Sequence, residues 1–431
     1  MTDRRPTRRQ FVRTSATLTA AAVAPVRWPA VHVAGDDTIR IGMVGCGGRC
    51  TGAAVNAMNA DPGVRLVAMC DLFLERVHQS REALRAQQPG QVQVDDDHCF
   101  DGFDGYRRVI ESVDVVLIAN AAKFHSLHLR AALDAGRHVF VEKPHAIDPS
   151  GVREVEAALA LAEQRGLCVV SGLQSRFEPR YRETVARIHD GAIGEVVSIE
   201  ENFLRAPYVL YARRPGMAEV AYQCSNQYHF HWLSGDDVPQ SLIHNVDRSL
   251  WVLGGRTPLR CHGMGGRSSM TDPLYGNVFD HHAVVYEFDR GEKLYAFCRT
   301  TTGCYNEVSS LVYGTKGRAD LLAGRIEGEH AWRYQGPRDN PYDAEHRALF
   351  AAIRAGEPLI SGQHMADATR ATVMGQLSCY TGEEMTWERV ATSDAFYAPR
   401  AEGCSFDMEP PVRPGPDGSY PVFVPGRTRL L

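Results

Sequence analysis

The chain has 431 residues, 44% apolar and 23% charged, which suits two or three globular domains and excludes a disordered chain, a fibre or a coiled-coil rod. No uninterrupted run of about 18 apolar residues occurs, which excludes a multi-span helical membrane protein, and a net charge of −5 argues against a nucleic-acid binder. The charge is uneven: residues 1–34 hold six Arg and one acid, and the remainder holds 41 basic and 51 acidic side chains, net −10.

Taken in chain order, Thr7-Arg8-Arg9-Gln10-Phe11-Val12-Arg13 precedes an Ala-rich, weakly apolar stretch from Ser15 to Val26. A charged start, a short apolar run and small residues make a signal peptide. The Arg pair followed by Phe11 resembles a twin-arginine export signal. Residues 1–34 are read as that signal, cut near Ala34 or kept as a membrane anchor. The resemblance implies periplasmic export, through the twin-arginine machinery, of a protein already folded around its cofactor. The 11 Cys are an odd number, scattered and without C-x-x-C spacing. No essential disulfide is expected, and Cys70, Cys168 and Cys298 read as small buried residues.

Residues 39–44 form a strand pattern, then Gly45-Cys46-Gly47-Gly48-Arg49-Cys50-Thr51-Gly52, then a helix from about Ala53. Residues 64–70 are a second strand ending at Asp71, 72–87 a helix, and 88–105 a polar, Gly/Asp-rich loop. Residues 113–119 are an unbroken apolar strand, as in a parallel sheet covered on both faces. A helix at 126–135, a strand at 139–141, a helix at 150–165 and a strand at 167–171 complete an α/β parallel sheet over residues 38–174. Beyond it the rhythm changes. Strands at 196–203, 283–288, 293–301 and 309–313, with a hairpin turn at Gly291-Glu292, and helices at 179–190, 240–253, 343–355 and 364–381 predict an α+β domain over 175–390 with an open, mainly antiparallel sheet. Residues 391–431, rich in Pro, Gly and Arg, are expected as an extended tail packed on the surface.

Gly45-x-Gly47 lies between a strand and a helix, and Asp71 ends the next strand. A dinucleotide site needs that layout: glycines admit the pyrophosphate, the helix start supplies N–H groups, and the acid accepts from the ribose hydroxyls. Asp71 repels a 2′-phosphate, so NAD is favoured over NADP. The third glycine of G-x-G-x-x-G is replaced by Cys50, which is small enough to preserve the packing. Lys143 ends a strand on the ligand edge of the sheet and is a candidate for proton transfer or alkoxide stabilisation.

Gly45-x-Gly47-Gly48-Arg49, Asp71, Asn120 to His125 and Val141-Glu142-Lys143-Pro144 together resemble the Gfo/Idh/MocA family, which includes glucose–fructose oxidoreductase and inositol dehydrogenases. The resemblance runs from about 39 to 390. It implies a Rossmann domain, then an open-sheet domain that shapes a sugar site and forms homodimers or tetramers. It places Gly45, Cys46, Gly47, Gly48, Arg49 and Asp71 on the cofactor, Asn120 and His125 near the nicotinamide ribose, and Glu142 and Lys143 near the reacting ring. It also implies a substrate-facing helix bearing a His, matched by His244, with Asp247 as the acid that follows. The acid four residues before that His is Gln240 here, which cannot take a proton. By this reading His244 is the general base on a substrate hydroxyl and Lys143 hydrogen-bonds the same oxygen.

Phe203, Tyr208, Tyr211, Tyr222, Tyr228, Phe230 and Trp232, with Arg205, Arg213, Arg214 and Asn226, suit a sugar site equally well as an aromatic core with solvated Arg. His229-x-His231 on one strand face could hold a metal, but spacing offers no third ligand, so no metal is expected. Three functions remain. The first is an exported NAD-dependent oxidoreductase acting on a sugar or cyclitol hydroxyl, with cofactor tightly bound. The second is a redox-neutral glycosidase or lyase in which transient oxidation permits elimination before the hydride returns. The third is a non-catalytic sugar or NAD binder.

Overall fold

Six parallel strands dominate the first part of the computed structural model, which describes residues 37–431; the export signal expected at 1–34 lies outside those residues. The strands are β1 (Ile39–Val44), β2 (Val64–Asp71), β3 (Cys99–Asp101), β4 (Val115–Ile118), β5 (His138–Val141) and β6 (Val169–Ser171). Their order, β3-β2-β1-β4-β5-β6, reverses direction between β1 and β4. All four residues of β4 are buried, because helices cover both faces of the sheet. The helix Pro149–Arg165 shows how locally these elements are specified. Asp148 caps its start by accepting from Gly151 N, Pro149 occupies its first turn, and Gly166 ends it at φ +66°.

Two sequence expectations change here. The first helix runs Gly48–Ala60 rather than from Ala53, so the glycine turn feeds straight into the helix start. The stretch read as a loop at 88–105 contains edge strand β3 and leads into a helix, Gly105–Ser112, whose Tyr106, Val109 and Ile110 are buried at helical spacing.

The second sheet has nine strands: β7 (Val196–Arg205), β8 (Arg260–Gly266), β9 (His281–Glu287), β10 (Lys293–Thr300), β11 (Glu307–Gly314), β12 (Gly317–Asp320), β13 (Arg325–Gly328), β14 (Trp332–Arg333) and β15 (Met385–Thr386). The order is β14-β13-β12-β11-β7-β10-β9-β8-β15. Among these pairings only β7–β10 is parallel. Gly291, at φ +91°, turns the β9–β10 hairpin as expected. Leu294, Ala296 and Cys298 of β10 face inward while Tyr295 faces out, the two-residue period of a half-covered sheet. The inner face rests on Ile243–Val252 and on the almost wholly buried helix Gln363–Thr381. The helix Pro341–Ala355 returns to the first domain: Asn56 Nδ2 donates to Asp343 at 2.7 Å, and Arg354 pairs with Asp61 at 2.6 Å.

The C-terminal tail is extended, but it is not merely superficial. Tyr397, Cys404, Val412 and Tyr420 are buried in a core that also contains Ala121, Phe124 and Trp232.

Candidate active site

Parallel strands all end on one edge, so the loops that follow them meet there. Gly45, just after β1, has φ +100°, and a Cβ on it would lie 2.9 Å from Asn120 N and Cα. Glycine is therefore required both by conformation and by the close approach of the β4 loop. Gly47 and Gly48 are the opposite case: exposed, with nothing within 4 Å of where a methyl group would sit. The helix starting at Gly48 has no side-chain cap, which leaves its first N–H groups facing an open cradle. A diphosphate fits that cradle in charge and in space. Cys50 is fully buried against the Leu117 carbonyl at 3.7 Å, filling the space of the missing glycine, and burial pushes its thiol up to about 12.

Asp71 is held at the groove by two backbone donors, Cys46 N at 2.8 Å and Phe73 N at 3.2 Å. The groove beside it is lined by Arg76, Phe103, Phe124 and Cys224, and Asn120 and Gln227 carry it on into a second cavity. The Oδ1 of Asn120 is buried without a partner.

That second cavity gathers Glu142, Lys143, Arg49, Gln240 and His244. Glu142 is 4% exposed and pairs with Arg49 at 3.1 Å; Arg49 in turn lies over the Tyr342 ring at 4.7 Å. The Glu142 carboxylate needs Gly172 opposite, where a Cβ would come within 2.7 Å of it. Lys143 Nζ donates to the Gln240 carbonyl oxygen at 2.6 Å. Burial lowers the Lys143 pKa; Glu142 opposes that shift and Arg205 adds to it. His244 is driven well below the usual histidine value by burial, then by Lys143 and Arg248, so its ring is neutral, and its Nδ1 is buried without a partner. The cavity thus joins a lysine with spare donor capacity to a neutral imidazole.

Three other expected site residues have side chains engaged by the protein itself. His125 lines the same cavity and acts as a bracket: its ring nitrogens meet Pro144 O at 2.7 Å and Asn120 O at 3.1 Å, and burial holds it at about 4. Gln240 sits in a single π turn, Val238–Leu242, and turns its side chain away to donate to Ser234 O at 2.8 Å. Asp247 does not line the cavity. It is 1% exposed and clamped by Arg176 at 2.7–3.1 Å.

The aromatic stretch divides. Tyr222, Phe230 and Trp232 are core, and Phe203 packs against core. Arg213 binds Glu219, Arg214 faces Glu75, and Asn226 ties down the backbone of Tyr211. Tyr208 and Tyr228 line the cavity, stacked at 3.9 Å and 14°, with Arg205 3.6 Å over Tyr208. His229 and His231 lie in short helical turns rather than on a strand face, and among the described residues no group of metal ligands gathers.

Gln174, Gln227 and Tyr342 also line the cavity, and the sequence reading does not single them out. A signal for Gln174 exists, since it follows the end of β6 by three residues. None exists for Glu345, fully buried with no hydrogen-bond partner for either oxygen and only His346 Nδ1 nearby at 3.9 Å; burial, then Glu142, raise its pKa well above the usual value.

The family model described as "Oxidoreductase family, NAD-binding Rossmann fold" (Gfo/Idh/MocA) matches residues 39–173 of the chain. The chain is similar to the scyllo-inositol 2-dehydrogenase (NAD(+)) of Bacillus subtilis, 24% identical over 283 residues, 64% of this chain and 71% of the relative. It is similar to a glycosyl hydrolase family 109 protein of Streptomyces coelicolor, 26% identical over 199 residues, 44% of this chain and 40% of the relative. The chain spans about half the length of the first curated relatives it matches, 40–54%. Among solved structures, aldose-aldose oxidoreductase from Caulobacter crescentus complexed with glycerol shares the fold, with a TM-score of 0.62 at 19% identity over 81% of this chain and 99% of that one.

Proposed function

We propose that this chain, built on a Gfo/Idh/MocA Rossmann domain, is an NAD-dependent oxidoreductase acting on a CH–OH group of a sugar, sugar derivative or cyclitol. The observation that carries the reading is the meeting of Lys143 and His244 at the far end of the groove that starts at Gly47 and Asp71. When bound there, the dinucleotide supplies a hydride acceptor. The protein does the rest. Asp71 receives the ribose hydroxyls and repels a 2′-phosphate, which favours NAD. His244, neutral, takes the proton of the substrate hydroxyl. Lys143 has three donors and spends one on Gln240 O, so another can hydrogen-bond the oxygen as negative charge grows on it. Tyr228 presents an aromatic face for the C–H side of a sugar ring. The Arg8-Arg9 segment supports export with the cofactor already loaded, since tight retention replaces a free pool.

A redox-neutral glycosidase is the second reading; similarity to the family 109 glycosyl hydrolase favours it. One experiment separates the two. The protein is purified from its host, bound nicotinamide is measured, and sugars, cyclitols and aryl glycosides are added. Growth of the reduced-nicotinamide band with a new ketone supports the oxidoreductase. Aglycone release without net reduction supports the second reading, and binding with neither refutes both.

A further inference from the structure

The tail crosses the molecule at one end of the cofactor groove. Upstream it is fixed to the Rossmann domain: Ala395 O accepts from Ser150 N at 3.1 Å, Tyr397 N donates to Asp148 at 3.0 Å, and buried Lys123 donates to Tyr397 O. Downstream it is fixed to the second domain: Gln223 donates to Val412 O at 2.6 Å, Tyr420 OH donates to Glu219 at 2.6 Å, and Gly426 N donates to Thr381 O at 2.7 Å.

Between these anchors the chain alternates. Ser405, Asp407 and Glu409 are exposed, whereas Cys404 is buried and Phe406 and Met408 face inward. Phe406 meets Phe103 edge-on at 5.0 Å and Phe73 at 5.7 Å; Phe103 meets Phe124 at 5.8 Å. Phe103 and Phe124 line the groove half that contains Gly45 and Asp71, the half where the adenosine would lie. The same cluster holds Leu72 and Ala121, which line the groove too. Such edge-on aromatic contacts fix ring positions as well as bury area.

We propose that Phe406, carried by a strap pinned to both domains, locks Phe103 as the outer wall of the adenosine site and so retains the dinucleotide. The inference rests on the cofactor reading above. It makes Phe406 a positioning residue, acting through Phe103. Release of the cofactor then requires the segment 404–412 to lift as well as the groove contacts to break. A protein with so fixed a wall holds its dinucleotide through many turnovers.

The test uses the full chain loaded with NADH, chased with excess NAD, with release followed by nicotinamide fluorescence. Phe406→Ala is expected to speed release by about tenfold or more, since changes at a packed wall act chiefly on the off-rate. Phe406→Leu, which keeps apolar volume, is expected to stay close to wild type. Phe423→Ala is the control for general loosening: it removes tail contacts with Tyr380 at 4.2 Å and His231 at 4.7 Å, away from the groove. It is expected to leave release unchanged. Wild-type release from Phe406→Ala, or equal acceleration by Phe423→Ala, overturns the inference while leaving the cofactor reading intact. A wild-type chain that carries no dinucleotide on purification and accepts no NADH in titration overturns both.

Discussion

Gly45 and Gly48 lie three residues apart in one loop, yet adding a methyl group to each should have opposite effects. At Gly45 the backbone has φ +100°, a region that side chains rarely enter, which costs about 1–3 kcal/mol. The new Cβ would also sit 2.9 Å from backbone atoms of Asn120 and 3.0 Å from Ala119 O. Those atoms are tied to β1 through Ala119 N donating to Val44 O at 3.0 Å, so relief means opening the sheet between β1 and β4. Overpacking adds about 1–3 kcal/mol, and Gly45→Ala should lose about 2–5 kcal/mol in urea unfolding. At Gly48 the methyl meets nothing and the residue begins a helix. Gly48→Ala should gain about 0.4–1 kcal/mol by restricting the unfolded chain. Its methyl would occupy the cradle, however, so affinity for NAD in calorimetry should fall at least about tenfold, or 1.4 kcal/mol. A Gly48→Ala protein that binds NAD as wild type does would refute the placement of the diphosphate. An undamaged Gly45→Ala protein would refute the steric argument.

Lys143→Ala should lower kcat by about 10²–10⁴ while NAD titration is unchanged, the signature of a group needed for chemistry and not for cofactor binding. Asp247→Asn should leave the NAD affinity alone and lower urea stability by about 3 kcal/mol, the low end for a broken buried pair because Arg176 keeps 19% exposure. Burial holds His125, His231 and His346 at about 4. The unfolded chain therefore binds more protons between that value and the ordinary histidine range; stability is full above that range and is lost as pH falls, so the urea midpoint should be lower at about pH 5 than at about pH 7.5. Gln240→Asp cannot donate to Ser234 O, so its carboxylate should turn toward the cavity and raise the acid limb of the kcat/KM profile by about 1–3 pH units. An unmoved limb would show that His244 does not titrate in the rate.

Much of the site is readable in the sequence because of one geometric fact. Parallel strands end on a common edge, so Gly45, Asp71, Asn120 and Lys143, each recognised as following a strand, converge without any knowledge of long-range packing. Residues brought by the other domain carry no such marker. Tyr342 reaches Arg49 only because Pro341–Ala355 packs back on Gly48–Ala60, and Asp247 meets Arg176 across 71 positions. The helix Gly105–Ser112 does carry its signal, in the spacing of Tyr106, Val109 and Ile110, but short length and Gly/Asp-rich flanks obscure it. The tail is hard to read for the converse reason. Its buried residues lie in irregular chain with turns and prolines, where no long period exists to separate inside from outside.

On the Gfo/Idh/MocA resemblance an acid would stand where Gln240 does, and the charge layout shows what its absence would cost. The two arginines at the cavity are already committed, Arg49 to Glu142 and Arg205 to Asp237 at 2.9 Å. Lys143 instead rests on a backbone carbonyl, that of Gln240. A carbonyl is supplied by any residue at position 240, so the contact that orients Lys143 survives the substitution. What is lost is a negative charge near His244, and with it any stabilisation of the imidazolium. Burial, then Lys143 and Arg248, already keep the ring neutral, and nothing at position 240 offsets them, so it is competent to accept a proton but reluctant to keep it. Lys143, lacking a carboxylate partner, keeps more of its electrostatic effect for an oxygen that becomes negative. On the proposed mechanism the burden of charge stabilisation falls on the lysine rather than the histidine, so loss of Lys143 should be more damaging than loss of His244.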